Sequence, residues 1–255
     1  MGADFSRRLR RWWAAGAEAV GSLVLPWECP VCGADGEGEG APFCADCRAE
    51  LIGAAGDACP RCAMPVGRWG VEDGRCGECR RRRLGFDAAV ALGPYQGPVR
   101  ELCLRMKHEP SAWVAPWLAG VLLEARPVLR VMAEAAPGAW VVPVPLHWSR
   151  RWSRGYNQAG ALARGLARGL GLRQADPLRR VKATPILPGL GRAERAKSLS
   201  KAFRAREAGL EGRTVFLVDD ILTTGATCGA AARALKRAGA RRVVAVVVGR
   251  AEGRF

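Results

Sequence analysis

Short runs of apolar residues alternate with segments of helical periodicity along the second half of the chain. The clearest run is Val215–Val218, and the segment Ala230–Arg237 that follows it has the composition of a helix. Trp140–Val144 and Arg242–Val248 are similar apolar runs, the latter rich in valine. Strands that are apolar at every position are typical of a parallel sheet covered by helices on both faces. The pattern therefore predicts an α/β fold with a mostly parallel sheet flanked by helices.

The same patterns predict the other elements of residues 84–255. They are a strand at Phe86–Tyr95, helices at Pro98–Lys107, Trp113–Val131 and Gln158–Leu170, and short strands at Leu178–Ala183 and Ser200–Ala205. Proline lacks an N–H group and clashes with the preceding turn of a helix, so we expect a break near Pro127.

Eight of the ten cysteines form four C-x-x-C pairs ahead of this region. The pairs are Cys29/Cys32, Cys44/Cys47, Cys59/Cys62 and Cys76/Cys79. Each pair directs two thiolates at one metal, and a structural zinc ion takes four, so the spacing predicts two Cys₄ zinc sites. Sequential pairing of the four motifs closes smaller loops than an interleaved cross-brace and is favoured. A redox dithiol is the alternative for one pair, but four pairs in succession argue against it. Cys103 and Cys228 are predicted to be small buried residues.

The strand at Val215–Val218 leads directly into two acids, Asp219 and Asp220, and then into a small polar loop. The loop residues are Thr223, Thr224, Gly225, Ala226 and Thr227. Small residues before a helix let backbone N–H groups approach a phosphate, and the helix dipole favours the anion. The two carboxylates can accept hydrogen bonds from vicinal hydroxyls, directly or through a hard cation such as Mg²⁺. A phosphate and a diol on one small molecule describe a ribose 5-phosphate.

Basic residues dominate the charge of the chain. Its 40 Lys and Arg residues exceed its 24 Asp and Glu residues by 16, and the pI is about 10.3. This charge indicates anionic ligands or partners, with a solvated basic surface as the alternative. Two basic loops are candidates for pyrophosphate binding: the one after Trp140–Val144, with His147, Arg150, Arg151 and Arg154, and the mobile loop at 184–199, with Arg192, Arg195 and Lys197.

Residues Val215–Thr227 resemble the motif by which type I phosphoribosyltransferases bind phosphoribosyl pyrophosphate (PRPP). The tandem C-x-x-C pairs, PVPLH, RGYNQA and a basic loop join this motif in one order. The ordered set resembles the ComF family of competence-associated proteins over nearly the whole chain. The resemblance implies a small N-terminal double zinc ribbon, a type I phosphoribosyltransferase-like domain, a role in bacterial DNA uptake and a helicase partner. We also expect a cytoplasmic location.

The chain is thus expected to have three parts: an amphipathic helix over 1–26, a double zinc ribbon over 27–83 and a phosphoribosyltransferase-like domain over 84–255. The first helix carries arginines and two tryptophans, and it is expected to pack on the body of the protein. Attachment to a membrane surface is the alternative. No segment has the pattern of a transmembrane helix.

Two functions fit these features. In the first, the protein is a transferase: PRPP–Mg²⁺ binds with its ribose hydroxyls on the catalytic acids Asp219 and Asp220 and its 5-phosphate on the threonine loop. A nitrogen nucleophile, which the sequence does not identify, then displaces pyrophosphate. In the second, the fold binds phosphoribose groups without transfer, on single-stranded DNA or as an adaptor in a DNA-processing complex. Basic charge interleaved with Trp148, Trp152 and Tyr156 suits the second function.

Overall fold

A five-stranded parallel sheet forms the centre of the protein. The computed structural model describes residues 28–34, 42–67, 70–107, 113–146, 155–181, 202–206 and 209–251. The strand order is β3-β9-β8-β4-β5, with β3 at Ala88–Pro94, β4 at Trp140–Pro143, β5 at Arg173–Gln174, β8 at Thr214–Leu222 and β9 at Arg242–Arg250. Every adjacent pair is parallel. The predicted sheet is therefore confirmed, with β8 at its centre.

Helices cover both faces of this sheet. The helices of the described part are α1 at Ala45–Gly53, α2 at Gly77–Arg80, α3 at Gly97–Arg105, α4 at Val114–Ala125, α5 at Val128–Glu134, α6 at Gln158–Leu170 and α7 at Ala226–Arg237. Buried residues of α3, α4, α5 and α6 share one core with one sheet face. α7 covers the other face together with an antiparallel pair, β6 at Leu178–Arg180 and β7 at Phe203–Ala205. The predicted break at Pro127 separates α4 from α5.

The alternation of side chains along β8 decides what each helix layer contacts. Phe216 and Val218 belong to the core beneath α3–α6, whereas Val215 and Leu217 belong to the core beneath α7. Successive strand residues point to opposite faces, so the two acids that follow are directed to different helix layers. The strand continues through both acids to Leu222, further than its apolar run indicates, because residues up to Leu222 keep their register with β9.

The cysteine-rich segment packs against the edge strand β3. It includes a two-stranded antiparallel sheet, β1 at Val71–Glu72 and β2 at Arg75–Cys76. The backbone N–H of Ala89 in β3 donates to the carbonyl of Pro60 (3.1 Å). This contact and its neighbours cover a sheet edge that would otherwise be open to pairing with another chain. No helix in the described part of the chain is long and apolar enough to cross a membrane.

Candidate functional site

The two acids lie at the carboxyl end of β8, between β4 and β9. Asp219 Oδ2 accepts a hydrogen bond from Cys228 Sγ in α7 (3.7 Å), and Asp220 Oδ2 accepts one from Gln158 Nε2 in α6 (3.2 Å). The remaining oxygens accept from backbone: Asp219 Oδ1 from the N–H of Asp220 (3.0 Å) and Asp220 Oδ1 from the N–H of Ile221 (2.8 Å). The carboxyl groups are thus held from both layers of the fold at the edge where α/β proteins bind ligands.

The surroundings of Asp219 disfavour its charge. Burial and the neighbouring charge of Asp220 raise the pKa of Asp219 well above its ordinary value. A hydroxyl donor or a cation placed at the pair would offset both effects, because each interacts favourably with the ionised form. The acid pair is therefore suited to a ligand with vicinal hydroxyls or to a bound divalent cation.

The polar loop connects the acids to the first turn of α7. Gly225 has φ +77°, in the left-handed region that glycine adopts without strain. The backbone N–H of Ala226 donates to Thr224 Oγ1 (3.3 Å), whereas Thr223 is exposed to solvent. The first N–H groups of a helix have no intrahelical partner and can bind an anion. The loop and α7 together thus have the form of a phosphate site beside the acid pair.

Gln158 is a site residue that the sequence reasoning did not select. Its side chain is 4% exposed and holds Asp220, while its Oε1 is buried without a hydrogen-bond partner. Asn157, which precedes it, caps α6 by accepting from the N–H of Ala159 (3.2 Å) and donates to the carbonyl of Val144 (3.2 Å). α6 is thereby fixed to the end of β4. The sequence signal that could have identified Gln158 is its position: it is a polar residue directly after the helix cap, in a helix predicted to face a parallel sheet.

Both single cysteines are buried, as expected, and each lies against the end of β8. Cys228 contacts Asp219, and Cys103 Sγ donates to the backbone carbonyl of Asp220 (3.8 Å). Burial raises the pKa of both thiols. They therefore act here as neutral donors rather than as nucleophiles. The predicted basic residues His147, Arg150, Arg151, Arg154, Arg192, Arg195 and Lys197 lie outside the described residues, as does the helix predicted at 1–26.

The eight paired cysteines form two clusters in the predicted sequential order. One contains Cys29, Cys32, Cys44 and Cys47, and the other contains Cys59, Cys62, Cys76 and Cys79. Within each cluster the sulfur atoms all lie within 4.8 Å of one another. The pairs Cys32–Cys44, Cys59–Cys79 and Cys62–Cys76 are 3.7, 3.6 and 3.5 Å apart. A tetrahedral zinc ion with Zn–S bonds of about 2.3 Å separates its ligands by about 3.8 Å, so both clusters fit zinc.

The local backbone of the two clusters repeats. The first C-x-x-C pair of each cluster, Cys29/Cys32 or Cys59/Cys62, forms a turn that we call its knuckle. Gly33 and Ala63 follow these turns, both with positive φ, and their N–H groups donate to Cys29 O (2.9 Å) and Cys59 O (2.7 Å). The remaining pair of each cluster begins with a helix N-cap residue, Cys44 before α1 in the first and Cys76 before α2 in the second. Each cluster thus combines a C-x-x-C turn with a cysteine at a helix N-terminus.

Comparison with known proteins finds two family matches in the chain. The double zinc ribbon domain family matches residues 20–80, and the phosphoribosyl transferase domain family matches residues 153–254. These two matches cover the cysteine clusters and the edge that carries the acid pair and polar loop.

Several characterised proteins are similar to this chain. Competence protein F of Haemophilus influenzae is 32% identical over 214 residues, which cover 78% of this chain and 93% of that protein. DNA utilization protein YhgH of Escherichia coli K12 is 31% identical over 190 residues, covering 72% of this chain and 80% of that protein. A shorter stretch of 39 residues is 59% identical to adenine phosphoribosyltransferase of Mycobacterium marinum, covering 15% of this chain and 21% of that enzyme.

Proposed function

The chain belongs to the ComF family, with Competence protein F and YhgH among its relatives, and from that premise we propose that it binds PRPP together with Mg²⁺. The observation that carries the proposal is the juxtaposition of Asp219 and Asp220 with the loop that begins α7. The acid pair accepts the two ribose hydroxyls, and the loop N–H groups with the hydroxyls of Thr223 and Thr227 hold the 5-phosphate. The acid pair and the loop cannot bind the same anion, but they can bind the two ends of one ribose 5-phosphate.

The proposed reaction is transfer of the phosphoribosyl group to a nitrogen nucleophile. The new bond forms between that nitrogen and C1 of the ribose as the bond from C1 to the pyrophosphate oxygen breaks, and the nitrogen gives up its proton to solvent. Negative charge on Asp219 and Asp220 stabilises the cationic character that develops at the ribose ring. Magnesium bound with the ligand would neutralise the leaving pyrophosphate.

Calorimetric titration of the zinc-loaded protein with PRPP and Mg²⁺ tests the binding proposal. We expect saturable binding by the wild type and its loss in an Asp219→Asn/Asp220→Asn variant, because the amides keep the size of both side chains but remove their charge. Equal binding by both proteins would refute the role of the acid pair. Release of pyrophosphate on addition of candidate amines and nucleobases would then separate transfer from binding alone.

A second candidate, binding of single-stranded DNA, is supported by the net charge of +16 and by the names of the relatives, which refer to competence and DNA utilization. The same proposal includes a DNA-uptake helicase as partner and a cytoplasmic location, where thiolate ligands stay reduced. Anisotropy of a labelled oligonucleotide at increasing salt tests it. Affinity that falls steeply with salt supports contacts to the phosphate backbone, and absence of binding at low salt refutes them.

A further inference from the structure

Arg250, at the end of β9, lies between the second cysteine cluster and the polar loop. It is 3% exposed, and none of the described carboxylates forms an ion pair with it. Its Nε donates to the carbonyl of Cys62 (2.9 Å), and its Nη1 donates to the carbonyls of Leu222 (2.9 Å) and Thr223 (2.7 Å). One buried side chain thus connects a metal ligand to the first residue of the loop.

This connection has an energetic consequence. A buried guanidinium without a carboxylate depends on its hydrogen bonds to carbonyl groups, and loss of any of them leaves a buried charge less well solvated. Burial already lowers the pKa of Arg250 below its ordinary value. Because Arg250 donates to both carbonyls, displacement of either Cys62 or Thr223 weakens the position of the side chain that also holds the other.

Other contacts from the same cluster reach the loop. A side chain at Gly225 would lie 3.4 Å from Leu84 and Phe86, so the loop packs closely on both. Arg61, within the second knuckle, donates to the carbonyl of Leu84 (3.3 Å) and lies over the ring of Phe86 (5.6 Å). The second cluster thus supports the loop through one arginine to its backbone and another to its packing surface.

We propose that Arg250 is a positioning residue that couples metal binding at Cys59, Cys62, Cys76 and Cys79 to phosphate binding by the loop that begins at Thr223. The inference rests on the proposed function, since the ligand is that of the proposed site. Coupling between two sites is reciprocal in their binding free energies, so a phosphate ligand must also tighten the binding of metal by this cluster. The metal acts here on ligand affinity and not only on the fold of the cysteine-rich segment.

Arg126 offers a matched control. Its Nε, Nη1 and Nη2 donate to the carbonyls of Ala91 (2.7 Å), Gly56 (2.9 Å) and Leu92 (3.2 Å), so it also joins the cysteine-rich segment to the sheet. Burial lowers its pKa as well. It makes no hydrogen bond to the polar loop. Arg126→Lys therefore removes an anchor of the same kind without removing the proposed connection.

Hydrogen–deuterium exchange of the full zinc-loaded chain tests the connection without any ligand. Arg250→Lys retains the charge but loses the guanidinium group, whose separate nitrogens reach the two segments. We therefore expect faster amide exchange both in residues 222–227 and in residues 59–64. Arg126→Lys is expected to leave exchange in 222–227 unchanged. Arg250→Met serves as the stronger variant. Unchanged exchange in 222–227 in both Arg250 variants would overturn the inference.

Equilibrium competition for zinc with a chromogenic chelator, with ribose 5-phosphate as the probe, tests the coupling. In the wild type we expect the probe to raise the zinc affinity of one of the two sites by about fivefold or more, as couplings of ordinary size do. The effect should disappear in Arg250→Lys and persist in Arg126→Lys. A wild type that binds the probe but keeps an unchanged zinc affinity would overturn the coupling. A wild type that binds neither the probe nor PRPP would overturn the proposed function, while the exchange experiment would still decide the role of Arg250.

Discussion

Replacement of Gly85 by alanine tests whether packing at the start of α7 positions the phosphate loop. A Cβ at Gly85 would lie 2.1 Å from the carbonyl oxygen of Gly229 and 2.9 Å from its Cα. Gly229 belongs to the first turn of α7, and its N–H donates to the carbonyl of Gly225 (2.8 Å). Non-bonded carbon atoms are in optimal contact at about 3.5–4.0 Å, so the two backbones must separate by roughly 1 Å.

The size of the effect follows from this displacement. Overpacking of a tight contact costs about 1–3 kcal/mol, and each kcal/mol lowers the midpoint of thermal unfolding by about 2–4 °C in a chain of this size. The same shift moves the N–H groups that would face the phosphate of the proposed ligand. Because a misplacement of about 1 Å in a binding site can cost about 100-fold, we expect PRPP affinity to fall by at least about tenfold.

The assay combines thermal unfolding with PRPP titration and uses Gly209→Ala as the control. Gly209 has φ +82°, and a Cβ there would lie 2.9 Å from the ring of Trp140, so alanine is destabilising at this position too. Gly209 precedes β8, at the edge of the sheet opposite the acids, so we expect PRPP affinity to be retained. Gly85→Ala protein with wild-type stability would refute the packing argument. A loss of stability with unchanged affinity would refute the link from α7 to the phosphate site.

Three further predictions concern the acids, their support and the metal. Asp219→Asn should be more stable than the wild type by about 0.5–2 kcal/mol at neutral pH. The raised pKa of Asp219 makes wild-type stability fall as pH rises above the ordinary carboxyl range. The difference in unfolding free energy between the two proteins should therefore vanish below about pH 3.9, as urea unfolding across pH would show. Gln158→Met should weaken PRPP binding by about tenfold or more, since it removes the side-chain hydrogen bond that positions Asp220, and equal affinity in calorimetry would contradict this. Cys76→Ser should lower zinc content from two ions to one and reduce PRPP affinity more than Cys44→Ser does, because Cys76 belongs to the cluster that Arg250 connects to the loop. Equal reductions would argue against that difference.

The central elements could be predicted from the sequence because their local patterns agree with their tertiary surroundings. The predicted helix Gln158–Leu170 has the observed bounds, and its cap Asn157 and the left-handed Gly171 that ends it are local signals. Likewise, the sequential pairing of the cysteines follows from the short loops that it closes. In these regions the residues that define an element are neighbours in the chain.

Elements and contacts that depend on distant residues could not be predicted in this way. The helix Ala45–Gly53 was missed because its apolar residues do not form a clear stripe at helical spacing. Its first turn contains the cluster ligand Cys47, and Leu51 packs in a core formed by later parts of the chain. Arg250 is 188 residues from Cys62, so their contact leaves no local pattern. The signal that remained was a cation at the end of an otherwise apolar strand.

The ligand edge brings together two features that are unfavourable in the absence of ligand. Asp219 is disfavoured as an anion by burial and by Asp220, and Arg250, which is paired with Leu222 across β8 and β9, is disfavoured as a cation by burial. Elsewhere in the described structure, Lys236 and Asp87 form a direct ion pair (2.6 Å). Asp219 and Arg250 differ from them, since neither belongs to an ion pair among the described residues. A ligand with hydroxyls and a phosphate would bind the acids at one end and add a negative charge near Arg250 at the other. Because such a ligand relieves both costs only in the folded protein, its affinity should appear directly as added stability, rising with the logarithm of ligand concentration.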